Sequence, residues 1–244
     1  MLKSLGQSIT FALVATMMLI TPQTRAQPPA HAATHTATRA ANWNATVTRT
    51  PDDGYILGNP RAPLHLVAYI SYTCPHCAEF EEQARAPLAI GMIGPGKGSL
   101  EIRPFLRNAL DVVASLLAEC GPPSKFFGNT QLLLARQRDW LAPIDKLSDA
   151  QKARWDQPDF GTRMRAIASD LGLYTLMEQR GFGRADLDRC LTDKALADRL
   201  AKHTQNAVDK DGVNGTPGFL IDNLLLTATY DWAALKPQLE ARLH

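Results

Sequence analysis

An apolar run, Leu64 to Ile70, leads through three residues into Cys74-Pro75-His76-Cys77 and then into a helical pattern that opens Ala78-Glu79-Phe80-Glu81. A cysteine pair at a strand-to-helix junction restricts this chain more than any other feature. The strand belongs in a sheet and the helix must cover it, while the first cysteine sits at a helix N-terminus, where free N–H groups and the helix dipole favour negative charge. A thiolate supplies that charge. Pro75 gives up an N–H that the first turn could not use, and its fixed φ suits the first helical position. An imidazolium at His76 would favour the Cys74 thiolate further. In pairs of this spacing the first thiol falls from about 8.5 to between about 3.5 and 7.

The sign of that effect sets the direction of the chemistry. Stabilising the thiolate stabilises the reduced pair, so the disulfide becomes the stronger oxidant. Proteins with such pairs span about 150 mV, which is roughly 7 kcal/mol for a two-electron couple. His76 moves this pair toward the oxidising end.

The rest of the chain gives the sheet its other strands. Tyr55-Ile56-Leu57 is a short edge strand closed by Gly58-Asn59-Pro60. A helix from Cys77 to about Arg85 ends at Pro87 and the glycines between Gly91 and Gly98, and Leu100 to Leu106 is the next strand. Strand, helix and strand joined by a crossover form a parallel unit. The period then changes from two to 3.6. Ala109 to Cys120, Ser124 to Leu141, Ser148 to Trp155, Thr162 to Leu171 and Thr192 to Lys210 are predicted helices, with Ser148 and Gln151 as a capping box. Pro217 to Asp222 and Leu224 to Thr229 form a hairpin about Asp222-Asn223, and Asp231 caps a last helix bent or delayed by Pro237. The result is an α/β chain with a thioredoxin fold and an inserted all-helical domain. Its boundaries are residues 51–108 and 211–244 for the thioredoxin-like part and 109–210 for the insertion.

The N-terminus indicates where the chain works. Lys3, the uncharged apolar run Ile9 to Ile20 and Thr24-Arg25-Ala26 make residues 1–26 a cleavable signal peptide, too short in its apolar part to span a bilayer. Residues 27–50, rich in Ala, Thr, Pro and Gln, read as a flexible linker. His31 and His35 within it are read as solvated, and Asn44-Ala45-Thr46 is assigned no role. Cleavage removes two of the 26 basic residues, Lys3 and Arg25, and none of the 24 acidic ones, so the mature chain is neutral and signals neither nucleic acid nor a membrane surface.

Cys120 and Cys190 make the cysteine count even in an oxidising compartment. Neither has a neighbour at redox spacing, so a structural disulfide is preferred over a second redox pair. It closes a loop of about 70 residues, worth roughly 4 kcal/mol in the chain-entropy model. His65 and His203 read as partly buried histidines, and Trp140, Trp155 and Trp232 as packing residues.

Cys74-Pro75-His76-Cys77 together with Gly215-Thr216-Pro217 resembles the DsbA-like family of extracytoplasmic thiol-disulfide oxidoreductases, over roughly residues 54–243. The resemblance implies a cis Pro217, with Thr216 facing Cys74 and offering backbone groups to an extended substrate. It implies Cys74 as the exchanging cysteine, Cys77 as its buried partner, reduced secreted proteins as substrates and a quinone-linked membrane protein as reoxidant. No cofactor or metal is needed, and the expected state is a periplasmic monomer. Two positions depart from the family pattern. Ala68 stands where members carry a buried acid six residues before the first cysteine, and Thr216 stands where the best-known oxidases have valine. Two other readings stay open. One is a disulfide isomerase or reductase, disfavoured because residues 27–50 are too short and polar for a dimerisation domain. The other is a structural zinc site built from all four cysteines.

Overall fold

A strand that is apolar on both faces belongs in the interior of a sheet, and the run at residues 64–70 takes that place. The computed structural model describes residues 41–243. The expected signal peptide, His31, His35 and the first part of the linker lie outside the described residues. β1 (Val47–Arg49), β2 (Tyr55–Gly58) and β3 (Leu64–Ile70) precede α1 (Pro75–Leu88) and β4 (Gly98–Pro104). Eight helices follow: α2 (Ala109–Ala118), α3 (Phe126–Ala135), α4 (Gln137–Leu141), α5 (Asp149–Trp155), α6 (Phe160–Asp170), α7 (Leu173–Glu178), α8 (Arg184–Leu191) and α9 (Lys194–Asp209). β5 (Gly218–Ile221), β6 (Leu224–Leu225) and α10 (Trp232–Glu240) complete the chain.

The sheet order is β1-β2-β4-β3-β5-β6. Only β3 and β4 run parallel, joined by the α1 crossover, while β5 lies antiparallel to β3 and forms a hairpin with β6. This is the expected thioredoxin arrangement, with helices inserted between β4 and β5. Leu66, Ala68 and Ile70 share one core with Phe80 of α1, Leu116 of α2 and Leu133 of α3, so sheet and insertion pack as one body. Val67 and Tyr69 point to the opposite face, against Ala207 of α9 and Val213. β3 is therefore covered on both sides, and its C-terminal end holds the cysteine pair in a fixed place.

Several boundaries differ from the sequence reading. The linker's last residues are ordered: Trp43–Ala45 form a 3-10 turn, and Val47–Arg49 pair antiparallel with β2 from Val47 opposite Leu57 to Arg49 opposite Tyr55. A three-residue edge strand in a polar stretch carries little periodicity, and it forms because β2 would otherwise present an open edge. α1 begins at Pro75 and continues past Pro87 into a π-helical turn, Ala89–Ile93. A helix-interior proline costs about 3 kcal/mol. Burial of Leu88, Met92 and Ile93, at roughly 1.5–3 kcal/mol each, offsets it. The predicted helix over 124–141 breaks at Arg136, and α7 and α8 occupy a stretch, 172–191, to which the sequence reading assigned no element. β6 ends at Leu225, well short of Thr229, whereas Asp222 and Asn223 take the left-handed backbone that a tight hairpin needs. The Ser148/Gln151 capping box and the Asp231 cap form as predicted.

Candidate active site

β3 ends at Ile70, and Ser71, Tyr72 and Thr73 carry the chain to Cys74, the N-cap of α1. Cys74 has an extended backbone (φ −89°, ψ 119°), Pro75 is at the first helical position, and the Cys77 N–H closes the first turn on the Cys74 carbonyl at 3.1 Å. The helical register then sends Cys77 inward beside Phe80 and Ala84 on the buried face of α1. Cys74 and Cys77 are both free thiols, 4 % and 0 % exposed. Cys74 is thus less open than an exchanging cysteine was expected to be.

The loop before β5 comes to the same point. The Thr216–Pro217 bond is cis, and Cys74 Sγ donates to the Thr216 carbonyl at 3.0 Å. The Thr216 hydroxyl is buried and has no partner within hydrogen-bond geometry, yet it favours the ionised form of both sulfurs.

The two thiols are driven apart electrostatically. Cys74 falls from 9.0 to about 5, chiefly because the Cys77 thiol donates to it, with Thr216 and the N–H groups of Cys77 and His76 adding to the effect against the opposing cost of burial. As a thiol the Cys74 side chain makes no capping hydrogen bond; those N–H groups favour its thiolate. Burial pushes Cys77 well above its ordinary value, and the neighbouring Cys74 pushes it further. The Ser71 N–H, 3.4 Å from Cys77 Sγ, works weakly the other way. The surroundings favour the thiolate on one sulfur and the protonated thiol on the other, which is the asymmetry that thiol exchange requires.

His76 enters differently from the sequence expectation. Its side chain is 66 % exposed, with Nδ1 3.3 Å from Glu79 Oε2, and it acts on Cys74 through its backbone N–H. One residue past the first helical position the side chain turns outward, where an acid one turn on meets it.

A family model described as thioredoxin matches residues 50–241. The chain belongs to the thioredoxin family. The crystal structure of a protein-disulfide isomerase from Novosphingobium aromaticivorans is 46 % identical, with a TM-score of 0.75 over 78 % of this chain and 97 % of that one. Wolbachia pipientis alpha-DsbA1 is 20 % identical at a TM-score of 0.59, over 77 % and 89 % of the two chains, a likeness of fold. A Rickettsia felis protein, provisionally named a protein-disulfide oxidoreductase, is 23 % identical over 177 residues, 72 % of this chain and 55 % of that protein. The chain spans little more than half the length of that curated relative. Its fold is that of the DsbA-like members of the thioredoxin family.

In this thioredoxin-family chain Cys120 and Cys190 are joined, with Cα atoms 5.6 Å apart, and tie the end of α2 to α8. That removes two ligands from the four-cysteine zinc reading, and no cluster of three metal-binding side chains occurs among the described residues. His65 bonds Ser99 and Glu101, and His203 lies 3.2 Å from Asp53, so both belong to polar networks away from the pair. Trp140 and Trp155 pack in the helical region with their indole N–H groups on the Leu133 carbonyl and Asp170.

Two residues beside the pair escaped the sequence reading. Ala68 is wholly buried, but a carboxyl reaches the redox turn from elsewhere: Asp111 of α2, also 0 % exposed, accepts from the Ser71 hydroxyl, the Thr73 N–H and the Arg107 N–H at 2.9, 3.0 and 2.9 Å. Burial raises its pKa against the pull of those donors. Gln137 of α4, 3 % exposed, donates to the Tyr72 and Cys74 carbonyls. Asp111 has a faint sequence signal, standing three residues after the cap Asn108, which marks it as a capping acid and nothing more. Gln137 has none.

Proposed function

We propose that this protein is an extracytoplasmic thiol-disulfide oxidase that donates the Cys74–Cys77 disulfide to reduced secreted proteins. The observation that carries the reading is the split between the sulfurs: Cys74 held at about 5 beside a buried, protonated Cys77. In the oxidised pair a substrate thiolate attacks Cys74 Sγ, the Cys74–Cys77 bond breaks, and Cys77 leaves and takes up a proton. A second substrate thiolate attacks the substrate sulfur of the mixed disulfide and releases Cys74 as a thiolate. The substrate loses two electrons and the pair gains them. A leaving thiol of low pKa departs faster, so the second step benefits from the same groups that make the pair oxidising. The Thr216 backbone, already in hydrogen-bond contact with Cys74, is the platform for an extended substrate segment. Reoxidation falls to a quinone-linked membrane protein, and the enzyme works as a periplasmic monomer without a cofactor.

A second reading, a disulfide isomerase kept reduced in the cell, draws on the printed name of the 46 % identical relative and on the Thr216 hydroxyl beside the sulfurs. Trapping tests the mechanism common to both. Cys77→Ala with Cys74 first loaded as a mixed disulfide with glutathione is expected to accumulate mixed disulfides with reduced, unfolded substrate through Cys74, the substrate thiolate displacing glutathione, whereas Cys74→Ala treated the same way accumulates none. Adducts on Cys77 in the second variant would reverse the roles. A substrate with scrambled disulfides separates oxidase from isomerase, since an isomerase in its reduced form rearranges it catalytically to the native pairing, whereas an oxidase in its disulfide form oxidises a reduced substrate and leaves the scrambled one unrepaired.

A further inference from the structure

The turn from Ser71 to Cys74 has no regular structure of its own, yet it decides where the Cys74 sulfur points. Three helices of the insertion hold it. Asp111 of α2 takes the Ser71 hydroxyl and the Thr73 N–H, and Thr130 of α3 meets the Tyr72 hydroxyl at 2.9 Å. Gln137 is the third hold and the most direct. α3 and α4 are separated by one non-helical residue, Arg136 (φ −105°, ψ 17°), so Gln137 stands at the first position of α4 with its side chain directed at the turn. Its amide nitrogen donates to the Tyr72 carbonyl at 2.8 Å and to the Cys74 carbonyl at 2.9 Å. Among the described residues no other donor reaches the Tyr72 carbonyl. The Cys74 carbonyl is the one that opens α1, accepting the Cys77 and Ala78 N–H groups at 3.1 and 3.4 Å.

Those two carbonyls flank the Thr73–Cys74 segment, and pinning both fixes the backbone angles that aim the Cys74 side chain. The groups that favour its thiolate, the Cys77 thiol, the Thr216 hydroxyl and two backbone N–H groups, act over short distances and in set directions. We infer that Gln137 is a positioning residue of the redox site: by fixing the Tyr72 and Cys74 carbonyls it keeps the Cys74 sulfur on its donors and so sets the thiolate stability and the potential of the pair. The inference rests on Cys74 being the reacting thiolate. Gln137 is uncharged, so its effect is geometric, and it gives the helical insertion a direct hand in the chemistry of the sheet.

The competing reading is that Gln137 only docks α4 by satisfying two buried carbonyls, which would change stability and leave the thiol alone. Gln137→Met keeps length and volume and removes both donors. Gln137→Asn, too short to span both carbonyls, is the milder variant should the first not fold. Each is compared with the unaltered protein in three measurements: the Cys74 pKa from thiolate absorbance, the redox equilibrium constant with glutathione, and denaturant unfolding. The expected result is a Cys74 pKa higher by about one unit and an equilibrium constant shifted about tenfold toward the disulfide form of the protein. A loss of stability with both thiol readouts unchanged, or a lower pKa, overturns the inference. Because the readout is a ratio to the unaltered protein, it survives if the absolute potential proves reducing and the oxidase reading fails.

Discussion

The two cysteine pairs sit within one core and are built for opposite ends. Cys74 and Cys77 are three residues apart, on the first turn of one helix, in surroundings that treat them unequally: donors gather on one sulfur and burial disfavours ionisation of the other. Cys120 and Cys190 are 70 residues apart, one just past the end of α2 and the other on α8, and their sulfurs are bonded to each other. On the proposed reading the first arrangement keeps a reactive thiolate ready; the second closes a long loop. What separates them is the polar traffic around the sulfur, since all four cysteines lie near or within the same apolar core.

The contrast can be broken in order of expected effect. Cys74→Ala is expected to lower disulfide transfer to a reduced substrate by at least about 1000-fold, since Cys77 alone has no disulfide to donate and is buried. Replacing Cys120 and Cys190 together by alanine leaves transfer near its original rate and lowers unfolding free energy by about 4 kcal/mol, measured in denaturant. If the second replacement stopped transfer, the division of labour would be wrong.

pH sharpens the same contrast. The reduced protein holds Cys74 at about 5 against 9.0 for an ordinary thiol. A depressed folded value contributes stability that is complete above the unfolded pKa and lost as pH falls through the folded one. Stability of the form with Cys74 and Cys77 reduced, relative to the form with them joined, therefore rises from pH 5 toward pH 9, as denaturant midpoints of the two forms would read. Cys77, raised above its ordinary value of 9.0, adds an opposing slope only at the top of that window, where the unfolded thiol begins to ionise. A flat difference would show that Cys74 is not a stabilised thiolate. Last, Thr216→Val removes the buried hydroxyl that favours the Cys74 thiolate and should raise its pKa by about one unit or less, with a matching fall in oxidising power.

Much of this was legible in the chain because the relevant signals are local. β3, the tetrapeptide, the Asp222-Asn223 hairpin and Asp231 are short patterns whose chemistry fixes their geometry, and together they give the thioredoxin layout. The losses were of two kinds. β1 and the passage of α1 beyond Pro87 are decided by tertiary burial and by the free edge of β2, which no local period records. Gln137 lies in a run of good helix formers, Ala135-Arg136-Gln137, with no glycine or proline to announce the break that turns it toward the redox site. Asp111 likewise reads as an ordinary capping acid until α2 is placed against the Ser71–Thr73 turn. His76 shows the converse, a residue whose type is informative and whose side chain the fold directs elsewhere, toward Glu79.

The central claim is that the surroundings of Cys74 make this pair an oxidant. The equilibrium of the purified protein with a glutathione buffer, read together with the Cys74 pKa, tests it most directly. The account predicts a potential nearer about −120 mV than about −270 mV, with Cys74 ionising near 5. A potential near about −270 mV with a thiol pKa near about 8 would contradict it.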